Sequence, residues 1–118
     1  MSLTALIDQV RSRPDASQIG MILSHTGIVR GTSRDGRRVS GFDLSVDWKK
    51  LDAIVSEHKK RPGIVEILIE IHEGFLSVGD EVMCLVVAGS IRDQVIPTLQ
   101  DTLNAIKKEV TSKREHFL

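Results

Sequence analysis

Residues 74–92 read GFLSVGDEVMCLVVAGSIR, and the reading of this stretch decides the fold. It holds a turn at Gly79-Asp80, then the most apolar run of the chain, residues 82–88. A continuous apolar run of this length, bounded by turn residues, is expected to be a strand buried on both faces. The run closes on the small-residue corner Gly89-Ser90, and Arg92 follows at once. Ser90 with Asp93 has the form of a capping box, with Asp in place of the usual Glu, so a helix should begin here. A buried strand that delivers a cation to the first turn of a helix builds an anion site. An ordinary strand-to-helix corner has the same pattern, and these residues alone leave both readings open.

Working outward, residues 64–71 alternate, with Val65, Ile67, Ile69 and Ile71 on one side and Glu66 and Glu70 on the other. A short strand at residues 75–78 follows. His72 and Glu73 are neighbours on a strand end and point to opposite faces, so they do not form an acid–base pair. Asp47 is expected to cap a helix running to about Lys60, with Trp48, Leu51, Ile54, Val55 and His58 inward and Pro62-Gly63 ending it. Residues 21–29 read as a strand bulged at Gly27, and residues 39–46 as its returning partner. Between them Asp35-Gly36 is a hairpin signal, surrounded by Arg30, Arg34, Arg37 and Arg38. Ser2 should cap an N-terminal helix that buries Leu3, Leu6, Ile7 and Val10 before Pro14. Beyond Arg92, the residues Val95, Ile96, Leu99, Leu103, Ile106 and Val110 mark a final apolar helix face. Pro97 predicts a kink there, or a restart near Ile96. The order α, β, β, α, β, β, β, α implies one α+β domain over residues 1–118, an antiparallel sheet with helices packed on it.

Composition excludes several classes of function. Lys plus Arg and Asp plus Glu each total 16, so the formal net charge is zero and no global field favours nucleic acid or acidic membranes. Aromatic residues make up 3% of the chain and Tyr is absent, which argues against base stacking. The lone Cys84 excludes an internal disulfide and a cysteine-cluster metal site, and its apolar setting predicts a buried, inert thiol. No signal-peptide pattern opens the chain, and no apolar run approaches the ~20 residues of a membrane span, so a cytoplasmic location is expected. There is no GxGxxG, GK[ST], HExxH or GxSxG motif and no His/Cys set at metal spacing, so neither metal nor cofactor is expected. What remains is a set of dispersed cations: Arg30, Arg92, Lys107 and Lys113. On a straight helix Arg92 and Lys107 lie roughly 20 Å apart. A bend at Pro97 or a second subunit is needed to bring them to one small ligand.

Over residues 3–117 the chain resembles the large, catalytic subunit of molybdopterin synthase. The resemblance is carried by TGIVR at residues 26–30, GFLSVGDEV at 74–82, the small residue and arginine at 90–92, and Lys107 followed by KRE at 113–115. It implies an α/β-hammerhead fold and a homodimer within a heterotetramer. A small ubiquitin-like sulfur carrier would present its C-terminal Gly-Gly thiocarboxylate beside each active site. Two sulfurs would pass to cyclic pyranopterin monophosphate, making the dithiolene of molybdopterin. By the same resemblance Lys107 and Lys113 are the catalytic lysines, and Arg30 and Arg92 bind anions. The chain departs from the family pattern at Ile91, where a histidine is usual, and at Val110-Thr111-Ser112, which replace a proline and aromatic residues. It also ends sooner after Glu115, which marks it as a shortened and diverged member. The alternatives are a non-catalytic paralogue that binds a sulfur carrier or pterin, and a small ligand-sensing α+β dimer.

Overall fold

The computed structural model describes residues 2–118. Its elements in chain order are α1 (Leu3–Arg11), a short 3-10 turn (Ala16–Gln18), β1 (Met21–Ile28), β2 (Val39–Val46), α2 (Trp48–Lys59), β3 (Ile64–Ile71), β4 (Gly74–Ser77), β5 (Glu81–Gly89), α3 (Arg92–Ala105), a π-helical turn (Ile106–Val110) and β6 (Thr111–Phe117). The strands form two antiparallel three-stranded sheets, ordered β1-β5-β3 and β4-β2-β6. The molecule is elongated, 49 × 25 × 23 Å.

The apolar run is the middle strand of the first sheet, as its sequence requires. Cys84, Val86 and Ala88 of β5 pack against Leu6 and Val10 of α1 on one face. Leu85 and Val87 pack on the other face against Ile67 of β3 and Val95 of α3. A strand covered on both sides cannot alternate, because each outward side chain also enters a core. Each fully buried Val or Leu here contributes about 1.5–3 kcal/mol relative to exposure. A third cluster joins the two sheets: Phe42, Leu44 and Leu76 from the second, Met83 and Ile71 from the first, and Ile106 and Val110 from the π turn.

The hairpin expected between residues 21–29 and 39–46 does not form. β1 and β2 lie in different sheets, and only the bridge Thr32–Arg38 pairs the connecting loop with itself. The Asp35-Gly36 turn is real, with Gly36 at φ +86° and its amide donating to the Ser33 carbonyl, but it tips a loop that carries the chain between sheets. Gly79-Asp80 also crosses from one sheet to the other. Gly79 has φ +93° and donates to the Val29 carbonyl, while Asp80 accepts from the Ser77 amide at 2.8 Å. The bulge beside Gly27 is present as a register shift between Gly27 and Ile28.

Both expected N-caps on the earlier helices are made, Ser2 accepting from the Ala5 amide and Asp47 from the Lys50 amide. At α3 the cap position is instead Ile91, and Ser90 makes no capping bond. Ser90 is held otherwise, its amide donating to the Gly63 carbonyl at 2.8 Å. The helix also runs through Pro97 without a restart. Asp93, whose carbonyl loses its usual amide partner to that proline, is exposed to water, which lowers the cost of the missing bond. Trp48, expected inward, is exposed on the rim of α2 and its Nε1 lies 3.4 Å from Glu73 Oε1. The largest departure is at the C-terminal end. Residues 111–117, read as the end of the last helix and its tail, form β6 and pair along β2 from Val39–Phe117 to Val46–Thr111.

Candidate active site

β6 gives the second sheet two unlike faces. Lys113 stands opposite Leu44 and Glu115 opposite Phe42, so these side chains share the face that looks toward the first sheet. Arg114 stands opposite Asp43 on the outer face. There Asp43 accepts from His116 Nε2 at 2.5 Å, and these contacts together with Arg114 hold its carboxyl below the usual carboxylate range, the His116 hydrogen bond being the largest cause.

On the inward face the two sheets enclose a cleft of about 860 Å³. Its floor is apolar, with Phe42, Leu44 and Met83, and its walls carry Arg30 and Arg34 from the loop after β1, Lys107 from the π turn, and Lys113 and Glu115 from β6. The two lysines arrive from different elements. The π turn buries Ile106 and Val110 in the inter-sheet core and leaves Lys107 exposed between them. The chain then reverses directly into β6, which brings Lys113 back to the same opening. A wide helical turn of this kind often marks a functional position, because it re-aims side chains that a regular helix would carry past the site. Lys113 Nζ lies 5.2 Å from the centroid of the Phe42 ring, a cation–π contact that ties the ammonium to the cleft floor.

Of the four cations singled out from sequence, the structure gathers Arg30, Lys107 and Lys113 around this cleft. Arg92 is not among them. It begins α3 at a separate shallow depression with Gly20, Met21, Ile91 and Asp93, where it is largely exposed and lies 3.9 Å from Asp93. The continuous helix through Pro97 keeps Arg92 and Lys107 at opposite ends of their segment. Arg34, beside the Asp35-Gly36 turn, and Glu115, of the KRE segment, also line the cleft.

Sequence reasoning missed His25. It lies on β1 and faces the cleft, and burial and the neighbouring Lys107 ammonium, in that order, push its imidazole pKa below the ordinary value. Its signal was available, since it directly precedes the TGIVR segment that leads to Arg30. Thr26 also lines the cleft, and its hydroxyl lies 3.8 Å from Cys84 Sγ. Cys84 is buried, and desolvation with the Glu81 carboxylate at 3.1 Å raises its pKa, so the thiol is held protonated. Among the described residues no group of three or more His, Cys, Asp or Glu is placed to hold a metal ion, and no helix is long and apolar enough to cross a membrane. With Arg30, Arg34, Lys107 and Lys113 around an apolar floor, the cleft is suited to bind and orient anions.

The family model described as MoaE protein matches residues 1–109. A probable molybdopterin synthase of Haloferax volcanii is 26% identical over 115 residues, which cover 93% of this chain and 44% of that protein. The chain thus spans under half the length of that relative. Among solved structures, molybdopterin cofactor biosynthesis protein E from Burkholderia multivorans superposes with a TM-score of 0.79 at 22% identity, over 100% of this chain and 84% of that one. A complex of subunits 1 and 2 of molybdopterin-converting factor from Helicobacter pylori contains a chain similar at TM-score 0.73 and 16% identity, covering 98% of this chain and 78% of that one.

Proposed function

Since the chain belongs to the MoaE family, we propose that it is the catalytic large subunit of a molybdopterin synthase, a sulfurtransferase that builds the dithiolene on cyclic pyranopterin monophosphate. The observation that carries the site assignment is the convergence of Lys107, Lys113 and Arg30 on one cleft from three different elements. Both reactants are anions at the points that must meet: the substrate by its phosphate, and a small carrier by its C-terminal thiocarboxylate. Cations fixed around an apolar floor bind both and hold them in line, which removes much of the entropic cost of a bimolecular step. Lys107 and Lys113 then sit where charge develops as sulfur is transferred, and either ammonium can donate a proton to a leaving oxygen.

The partner is a small ubiquitin-like sulfur carrier ending in Gly-Gly; a complex of two molybdopterin-converting-factor subunits holding a similarly folded chain supports this reading. The assembly is a homodimer within a heterotetramer. Arg92 is far along α3 from Lys107 in its own subunit, so its role as an anion-binding group requires the second subunit to bring it to the cleft. The chain is read as one domain acting in the cytoplasm, without metal or cofactor at this step.

Reconstitution tests this function. Purified protein, given thiocarboxylated carrier and the cyclic precursor, should form the dithiolene; no product, where another member of the family makes it under the same conditions, sinks the catalytic reading. A mixing experiment tests the shared site. Lys107→Ala and Arg92→Ala should each be inactive alone and regain activity when their subunits are exchanged into mixed dimers. No recovery on mixing contradicts the placement of Arg92 at the partner's cleft.

A further inference from the structure

One histidine, His25, lines the cleft, and the proposed chemistry has not used it. His25 sits on β1 opposite Leu85 of β5, on the same side of the sheet as Leu23, which stands opposite Val87. Leu23, Leu85 and Val87 pack in the core with Val95 of α3, whereas His25 is one step further along the strand and lines the cleft together with Lys107. Its ring leans along its own strand: a Cβ on Gly27 would lie 3.6 Å from His25 Nε2. The imidazole is half-buried and makes no hydrogen bond among the described residues, so its ring nitrogens are open to a molecule in the cleft.

The charged groups lining the same cleft are Lys107 of the π turn, Arg30 and Arg34 of the loop, and Lys113 and Glu115 of β6; β5 and β2 contribute apolar side chains. Four cations against one carboxylate make a surplus of positive charge. Burial, and after it the Lys107 ammonium, favour the neutral imidazole. A bound dianion reverses the balance, because it offsets Lys107 and gives a protonated ring a direct partner.

We propose that His25 is a further anion-binding residue of this cleft, taking up a proton as a doubly charged anion binds and so making the affinity for that anion rise as the pH falls. This rests on the reading of the cleft as an anion site. The linkage has a fixed sign: an anion that raises the proton affinity of His25 is itself bound more tightly when His25 is already protonated.

Inorganic sulfate is the probe, because it stays a dianion across the range in which histidine titrates. Calorimetric titration of wild-type protein should give affinity at least about fivefold tighter at about pH 5.5 than at about pH 8, the scale of a partly exposed ion pair. His25→Gln should keep sulfate binding at the higher pH and lose this dependence, while Lys107→Ala should weaken binding at both. NMR of the His25 ring supplies the readout a structural role would not move: sulfate should raise its pKa, and Lys107→Ala should raise it without sulfate. Sulfate binding that depends on Lys107 but has the same pH ratio in wild type and His25→Gln overturns the role of His25 and leaves the anion cleft standing. Absence of any Lys107-dependent sulfate binding overturns both. Where His25→Gln does not fold, an unchanged ring pKa on saturation of the wild type with sulfate is sufficient to reject the proposal.

Discussion

The two sheets of this molecule are equal in strand number and opposite in character. The first, β1-β5-β3, has a helix on each face, and its middle strand is buried from Met83 to Gly89. The second, β4-β2-β6, buries one face against the first and leaves Asp43, Arg114 and His116 on the other. The difference separates stability from chemistry. Two-sided burial leaves no room for charged groups between Met83 and Gly89 of β5, so the first sheet acts as the scaffold, whereas the shallower second sheet can hold Lys113 and Glu115 at an open edge of the core. The cleft lies where the two meet.

The largest effect should come from breaking the scaffold. Leu85→Ala removes a fully buried side chain at its centre and should cost about 2–5 kcal/mol in urea unfolding. Lys113→Ala, on an exposed position of the second sheet, should change stability by less than about 0.5 kcal/mol. Comparable losses from the two substitutions would erase the division drawn here. Next comes Gly41→Ala. Its Cβ would lie 2.1 Å from the Leu76 carbonyl oxygen, so β4 must shift from β2, and a cost of about 1–3 kcal/mol is expected with hydrogen exchange quickening first in the second sheet.

These experiments also mark how far the sequence could be read. Strand β5 was legible because its apolar run has one physical explanation, a strand covered on both sides. The caps at Ser2 and Asp47 were legible because capping is local. Strand β6 was not. Its residues, TSKREHF, are polar and carry charges on both faces, so no apolar period announces them; they become a strand because β2 offers an edge to pair with. The hairpin at Asp35-Gly36 was misjudged for a related reason, since a turn signal fixes a reversal of the chain and not the sheet to which each arm belongs. At the site, Lys107 and Lys113 emerged by resemblance, but their meeting depends on the π turn, which no local pattern predicts. His25 was hidden inside a strand where a histidine on a half-buried face is usually structural.

A smaller effect concerns pH. His25, on the scaffold at the cleft, and His58, whose Nδ1 lies 2.6 Å from Thr102 Oγ1, both have pKa values pushed down, in each case mainly by burial. Folding therefore favours the neutral rings. The stability they contribute is fully present above the unfolded value of 6.5 and is lost as pH falls through the lower folded values. A gentle decline in melting temperature below neutrality should be reduced in His58→Gln; an unchanged decline in that variant would remove His58 from this account. The smallest effect on stability is expected at Arg92→Ala, within about 0.5 kcal/mol, because the side chain is largely exposed and makes only a long contact to Asp93.

Sulfur transfer is proposed to take place in the cleft between the sheets, with Lys107 in its wall. The direct test is single-turnover dithiolene formation by Lys107→Ala, with its urea unfolding curve measured alongside. The expected result is a rate reduced at least about 100-fold, the scale of a lost general acid or charge-stabilising group, with stability unchanged. A folded Lys107→Ala that forms the dithiolene at the wild-type rate would contradict the account.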